Sequence, residues 1–281
     1  MFVALNKEEQ RVAISQAINL EKQEYYCPVC KGLMVLKNGK VRLPHFAHKS
    51  KTDCDDFSND MSEWHYNWQL QFPEKYREVV IEMELTRDQY IDAQNNDSFD
   101  GISNKSLGIT DLNIVKGTER GKETIRLKHR ADICFKDYVI EFQHSPISAS
   151  EFNERNWFYT TAGYKLIWVF DMVDEVENEK LQATRLITLN PRRNIQWHWS
   201  YPKATFKDFI PEDHTDNVLV FFQIDNDISK TPLKHRDNVY LVKLFWRNTL
   251  KGNPISYPYT ATYPGNFPEI GDEIRKGNLF K

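Results

Sequence analysis

The sequence predicts an α/β fold, with a small Cys/His-rich module in front of it and a β-rich region behind it. Three observations point there. Residues 129–143 alternate between apolar and polar, and a capped helix and a buried strand follow at once. Cys, His, Pro and Gly concentrate between Cys27 and Cys54, and aromatic, alternating stretches recur after residue 195. The expected divisions are 1–58, 59–172 and 173–281. A chain of 281 residues with 40% hydrophobic content can bury a sizeable core, which excludes a disordered chain or a disulfide-stapled mini-protein. The net charge of -3 excludes a uniformly basic nucleic-acid coat, so any polyanion must find a local patch. Without a cationic and apolar leader pattern, or an apolar run of bilayer length, the expectation is a soluble, cytoplasmic protein with no membrane partner.

In chain order, Phe2–Leu5 is a short strand, followed by a charged turn and an apolar stretch from Val12 to Leu20. Met61, Trp64, Trp68 and Phe72 recur at helical spacing, with Asp60 or Ser62 as N-cap. Val79–Leu85 is strand-like, and the Asn-, Asp-, Ser- and Gly-rich residues 86–124 suggest a hairpin near Ile109–Val115 plus a long polar loop. Ser148-Ala-Ser-Glu151 is a capping box opening a helix to Gly163, and Tyr164–Phe170 is a buried strand, which together make a βαβ unit. An acidic helix over about 173–183 leads into the C-terminal region, where Val218–Ile224 and Val239–Phe245 alternate. Trp197, Trp199, Tyr201, Tyr240, Trp246, Tyr257 and Tyr259 interleave there with basic residues. That pattern suits stacking on single-stranded DNA and equally suits ordinary sheet packing.

Cys27-x2-Cys30, then His45, His48 and Cys54, offers five donors for a tetrahedral zinc ion. Cys27, Cys30, His48 and Cys54 are the expected ligands, with His45 as substitute or supporting donor. Between Cys27 and Thr52 the chain has Lys31, Lys37, Lys40, Arg42, Lys49 and Lys51 and no acidic residue. This stripe suits a nucleic-acid backbone; a merely solvated face is the competing reading.

A turn at Lys136-Asp137 sets Asp132 opposite Glu141. One face of that hairpin then holds Ala131, Ile133, Phe135, Tyr138, Ile140 and Phe142, and the other Arg130, Asp132, Cys134, Val139, Glu141 and Gln143. Two opposed carboxylates, with Cβ atoms roughly 5 Å apart, repel each other unless something compensates them. A Mg²⁺ or Mn²⁺ ion does so with hard oxygen ligands, and such an ion polarises a phosphoryl group and acidifies water for phosphodiester hydrolysis. Gln143 is positioned to orient water or a phosphate oxygen, and Glu63 lies upstream on a helix. The competing reading is an ordinary hairpin with both acids in solvent.

Cys27-Pro-Val-Cys30, His45-Phe-Ala-His48, Ser62-Glu63-Trp64-His65, His129-Arg-Ala-Asp132-Ile and Ile140-Glu141-Phe-Gln143-His-Ser carry a resemblance to the competence protein CoiA-like family. Arg155, Tyr159 and Ile167-Trp-Val continue it, over about residues 1–172. The resemblance implies a restriction-endonuclease-like, PD-(D/E)XK core. It also implies metal-dependent cleavage of DNA, single-stranded or branched, in natural transformation or recombination, alongside recombination proteins. The acidic pair falls on Asp132 and Glu141 and the helix acid on Glu63; Lys31, Lys37, Lys40 and Arg42 of the basic stripe, with Arg155, are the expected DNA contacts. Gln143 stands where the superfamily has a lysine, so a hydrogen-bonding amide replaces a cation. A DNA-binding recombination mediator without cleavage, or a phage-defence nuclease, are the alternatives.

Overall fold

The computed structural model describes residues 1–40, 42–50, 54, 62–95, 114–116, 123–185, 195–199, 204–206, 209, 214, 216–223, 241–248 and 253–257. In chain order the elements are β1 (Val3–Leu5), β2 (Arg11–Ala13), α1 (Ile14–Ala17), β3 (Tyr25–Tyr26), β4 (Leu33–Lys37), β5 (His45–His48), α2 (Glu63–Gln69), β6 (Arg77–Thr86) and α3 (Arg87–Asn95). There follow β7 (Ile114–Lys116), β8 (Glu123–Phe135), β9 (Tyr138–Gln143), α4 (Ala149–Thr161), β10 (Lys165–Asp171), α5 (Val173–Glu177), β11 (Leu181–Arg185), β12 (Ile195–Trp199), β13 (Val218–Gln223), β14 (Leu241–Asn248) and β15 (Asn253–Tyr257). The chain divides into two compact units, residues 1–61 with 74–134, and residues 62–73 with 135–281. Among the described residues, no helix is long and apolar enough to cross a membrane.

In the first unit, β2-β1-β3-β4-β5 form an antiparallel sheet. Phe46 donates its amide to the Met1 carbonyl (2.8 Å), which brings β5 round to the start of β1. Phe2, Leu5, Tyr25, Met34 and Phe46 are buried in this sheet region, with Tyr25 and Phe46 rings 4.8 Å apart. Such short strands bury little, and a side chain from β6 supplements them. Glu78, fully buried at φ +47°, accepts the amides of Phe2 (2.9 Å) and Val3 (2.7 Å) on one carboxylate oxygen. β6 and β8 pair antiparallel, with Ile81, Met83 and Leu85 buried and Glu82 and Glu84 outward against Lys128 and Arg126 across the ladder. That alternation is the pattern of a sheet with one covered face.

The second unit is a mixed sheet ordered β11-β12-β15-β14-β13-β10-β9, in which β9, β10 and β13 are mutually parallel. Parallel strands joined by a helix are covered on both faces, which explains why every residue of β9 is buried. On one face Trp64 and Trp68 of α2, with Phe72 just beyond its end, surround Phe142, and Trp68 stacks on Phe142 at 5.5 Å. On the other, α4 packs Phe152 against Trp168 (5.2 Å) and Phe170 (6.0 Å).

Local chemistry sets the helix ends. Ser62 Oγ caps α2 through the His65 amide, and Ser148 Oγ caps α4 through the Glu151 amide (3.0 Å). Only this half of the expected capping box forms, because the Glu151 carboxylate binds Arg155 instead. Gly163, at φ +89°, stops α4 in a left-handed turn that L side chains rarely adopt.

Three expectations change. Residues 87–95 are the helix α3, where a polar loop was expected, while 96–113 and 117–122 lie outside the described residues. The acidic helix ends at Glu177, because Glu179 turns left-handed (φ 57°) and the chain resumes as β11. Val12–Leu20 splits into β2 and a single helical turn, leaving Ile18 and Leu20 exposed. Beyond residue 172 the chain adds β13 directly beside β10. The side chains of Trp197, Trp199, Tyr201, Tyr240, Trp246, Tyr257 and Tyr259, like Lys51, Asp60 and Met61, lie outside the described residues.

Candidate metal centre and nuclease-like site

The Cys/His cluster is assembled by two turns. The first is a knuckle closed by Lys31 N to Cys27 O (2.9 Å) and Cys27 N to Gly32 O (2.8 Å), with Lys31 left-handed at φ 59°. Val29 and Gly32 amides point at the sulfurs of Cys27 and Cys30, each at 3.4 Å. Gly32 sits close to the donors: a Cβ there lies 3.2 Å from Cys30 Sγ, tight enough to press the sulfur aside by a few tenths of an ångström, and 3.6 Å from the His48 ring. β5, paired with β4, brings in His48, and Cys54 completes the group.

The four donor atoms all lie within 4.8 Å of one another. Cys27 Sγ and Cys54 Sγ are 3.5 Å apart, and Cys30 Sγ and His48 Nε2 3.4 Å. A tetrahedral zinc ion with bonds of about 2.3 Å to sulfur and about 2.0–2.1 Å to nitrogen needs edges of about 3.8 Å and about 3.5 Å. The donors therefore fit the ion, and these four residues can bind zinc. Without a cation, the thiol of Cys54 donates to Cys27 and holds it low, at about 5, while Cys54 itself is pushed up, chiefly by that same hydrogen bond. Burial raises Cys30. His45 donates Nδ1–H to the carbonyl of Leu43 (2.8 Å). It lies three positions from His48 on β5, so the two rings leave opposite faces of the strand and one of them reaches the sulfurs. Lys31, Lys37, Lys40 and Arg42 are exposed, and Lys31 lies 3.8 Å from Glu9.

The acids expected to hold the second cation are not solvated. Asp132 on β8 is 7% exposed, Glu141 on β9 2% and Gln143 6%. That contradicts the picture of an ordinary hairpin with a wet polar face. A charged group taken out of water needs partners, and Glu141 has them: Arg155 Nη1 donates to Oε2 (2.8 Å) and Tyr159 Oη to Oε1 (2.9 Å). Arg155 also donates to Glu151 (2.6 Å) and lies over the Trp168 ring at 5.8 Å. Thus Arg155, expected on DNA, is buried as the link between two carboxylates, and Tyr159 joins it. The i, i+4, i+8 spacing of Glu151, Arg155 and Tyr159, directly after an acid-bearing strand, is the signal that could have assigned these tasks.

Gln143 donates its amide to the Ser145 carbonyl (2.6 Å). Glu63 is exposed at the first position of α2, the helix that packs on the Phe142 face, whereas Glu141 turns to the α4 face. His65 is half-buried and His129 buried. Sequence reasoning missed Gln223, fully buried at the end of β13, whose Oε1 accepts both the Trp64 and Trp68 indole N–H groups at 2.9 Å.

Fold and site together define a mixed α/β protein with a Cys/His module able to bind zinc and a buried, arginine-held carboxylate on a fully buried parallel strand. Residues 8–57 match the family model for the competence protein CoiA N-terminal domain, and residues 123–241 the model for the competence protein CoiA nuclease-like domain. The chain belongs to the competence protein CoiA family. Neither a curated relative nor a solved structure matches it.

Proposed function

We propose that the protein is a Mg²⁺- or Mn²⁺-dependent deoxyribonuclease with a restriction-endonuclease-like core, acting on DNA taken up in transformation or processed in recombination. The observation that carries this reading is the burial of Asp132, Glu141 and Gln143, within a segment that matches a nuclease-like domain. Asp132 and Glu141 are the ligands, and two carboxylates are the hard-oxygen donor set that Mg²⁺ and Mn²⁺ prefer. A divalent cation bound there supplies Lewis-acid polarisation of the phosphodiester and a more acidic water. Arg155 and Tyr159 orient the Glu141 carboxylate, and Gln143 directs water or a phosphate oxygen. Lys31, Lys37, Lys40 and Arg42 provide the exposed cations along which a DNA strand runs, on a module folded by zinc.

Cutting of single-stranded, duplex and branched DNA by wild type, Asp132→Ala and Glu141→Ala tests the site. Wild type should cut only with Mg²⁺ or Mn²⁺, and each variant should lose activity at least about 100-fold. Equal activity in all three proteins removes the proposed catalytic acids. One observation favours a second reading, a recombination mediator that binds DNA without cleaving it. The Gln143 amide is engaged by its own loop at Ser145 and brings no cation. Salt-dependent DNA binding with no metal-dependent cutting selects that reading.

A further inference from the structure

The carboxyl ends of β9 and β10 carry a group to which the sequence reading gave no task. His144 follows β9 directly and Asp171 closes β10, with His144 Nδ1 2.8 Å from Asp171 Oδ2. The other oxygen of Asp171 accepts the Val173 amide at 3.2 Å. The imidazole lies flat against the indole of Trp64, with centroids 5.9 Å apart and planes 30° apart. Trp64 is itself buried and anchored by Gln223. An incidental surface ion pair has two loose partners and contributes about 0–1 kcal/mol. Here the carboxylate is held from its far side by a main-chain amide and the ring by an immobile indole. Yet 45% of the His144 side chain remains open to solvent, against 13% for Asp171. A fixed, half-open imidazole with a carboxylate behind it is built to face something, and open α/β sheets take their ligands outside the carboxyl ends of parallel strands.

We propose that His144 is a phosphate-contacting residue, donating a charge-assisted hydrogen bond to the backbone of a single DNA strand while Asp171 and Trp64 hold the ring. This rests on the reading of the chain as a DNA-processing protein and deepens it. His144 shares its sheet face with Phe142 and α2, whereas Glu141 turns to α4. On that face the residue acts in binding rather than in bond breaking.

The test uses the full, zinc-loaded chain and a fluorescein-labelled single-stranded oligonucleotide. Anisotropy is recorded over about 50–200 mM KCl without Mg²⁺. His144→Ala and Asp171→Asn should weaken binding about 5- to 10-fold, and His144→Ala should lower the slope of log affinity against log salt by about 0.7, one phosphate contact. His144→Arg, which keeps a cation opposite Asp171, should bind within about twofold of wild type. Unchanged affinity and slope in His144→Ala, or a His144→Arg protein as weak as His144→Ala, overturns the proposal. A chain that never cuts but loses binding on His144→Ala sinks the nuclease reading and leaves this one standing. A chain that cuts through Asp132 and Glu141 with His144→Ala binding as wild type does the reverse.

Discussion

Replacing Arg155 by Met strands the carboxylate of Glu141. Glu141 is 2% exposed and the Arg155 guanidinium donates to it at 2.8 Å, so water cannot substitute without opening the α4 packing. Removing one partner of a buried pair costs about 3–5 kcal/mol, mostly as the penalty of the uncompensated charge. Tyr159 still donates at 2.9 Å, and Glu151, less deeply buried, can be hydrated, so the lower end applies, about 3 kcal/mol. At about 2–4 °C per kcal/mol, this lowers the melting temperature by roughly 6–12 °C. Urea unfolding followed by circular dichroism measures it. The double variant Arg155→Met with Glu141→Gln removes the stranded charge and should recover about 2 kcal/mol relative to the sum of the single changes. If Arg155→Met unfolds within about 1 kcal/mol of wild type, or the two changes simply add, the carboxylate is not held as described.

The indole pair gives a sharper packing test. Gln223→Leu leaves the N–H groups of Trp64 and Trp68 without their common acceptor, about 1–3 kcal/mol each, and should destabilise the chain by at least about 2 kcal/mol in the same assay. A neutral effect would mean the two indoles find other acceptors. For the metal centre, purified protein should carry close to one zinc per Cys27–Cys30–His48–Cys54 cluster by atomic emission. His48→Ala and Cys54→Ser should lose most of it while His45→Ala, whose ring bonds Leu43, keeps it. Equal zinc loss from His45→Ala and His48→Ala would refute the ligand assignment.

Much of this was readable along the chain because the signals are local. The Cys27-x2-Cys30 knuckle, the Ser62 and Ser148 caps, the Gly163 stop and the strand–helix–strand run from β9 to β10 each depend on neighbours within a few residues. Spacing also brought the two histidines of β5 forward and favoured His48 as the ligand, and the direction each ring takes from the strand agrees. The helix α3 escaped notice because its composition is polar and carries no apolar stripe.

Periodicity in β9 was enough to set Glu141 and Phe142 on alternate sides, and composition with Cys/His spacing marked residues 27–54 as a metal module. Whether that acid meets water is not a property of the strand. Burial of Glu141 comes from α4 closing over it, and Gln223 is satisfied by Trp64, 159 residues earlier in the chain. Arg155 illustrates the same divide: an arginine on a helix reads as a surface cation until the sheet beneath it presents a carboxylate that must be neutralised out of water. Local spacing chooses which residues can pair, but desolvation, which depends on what the rest of the chain covers, decides which of them must.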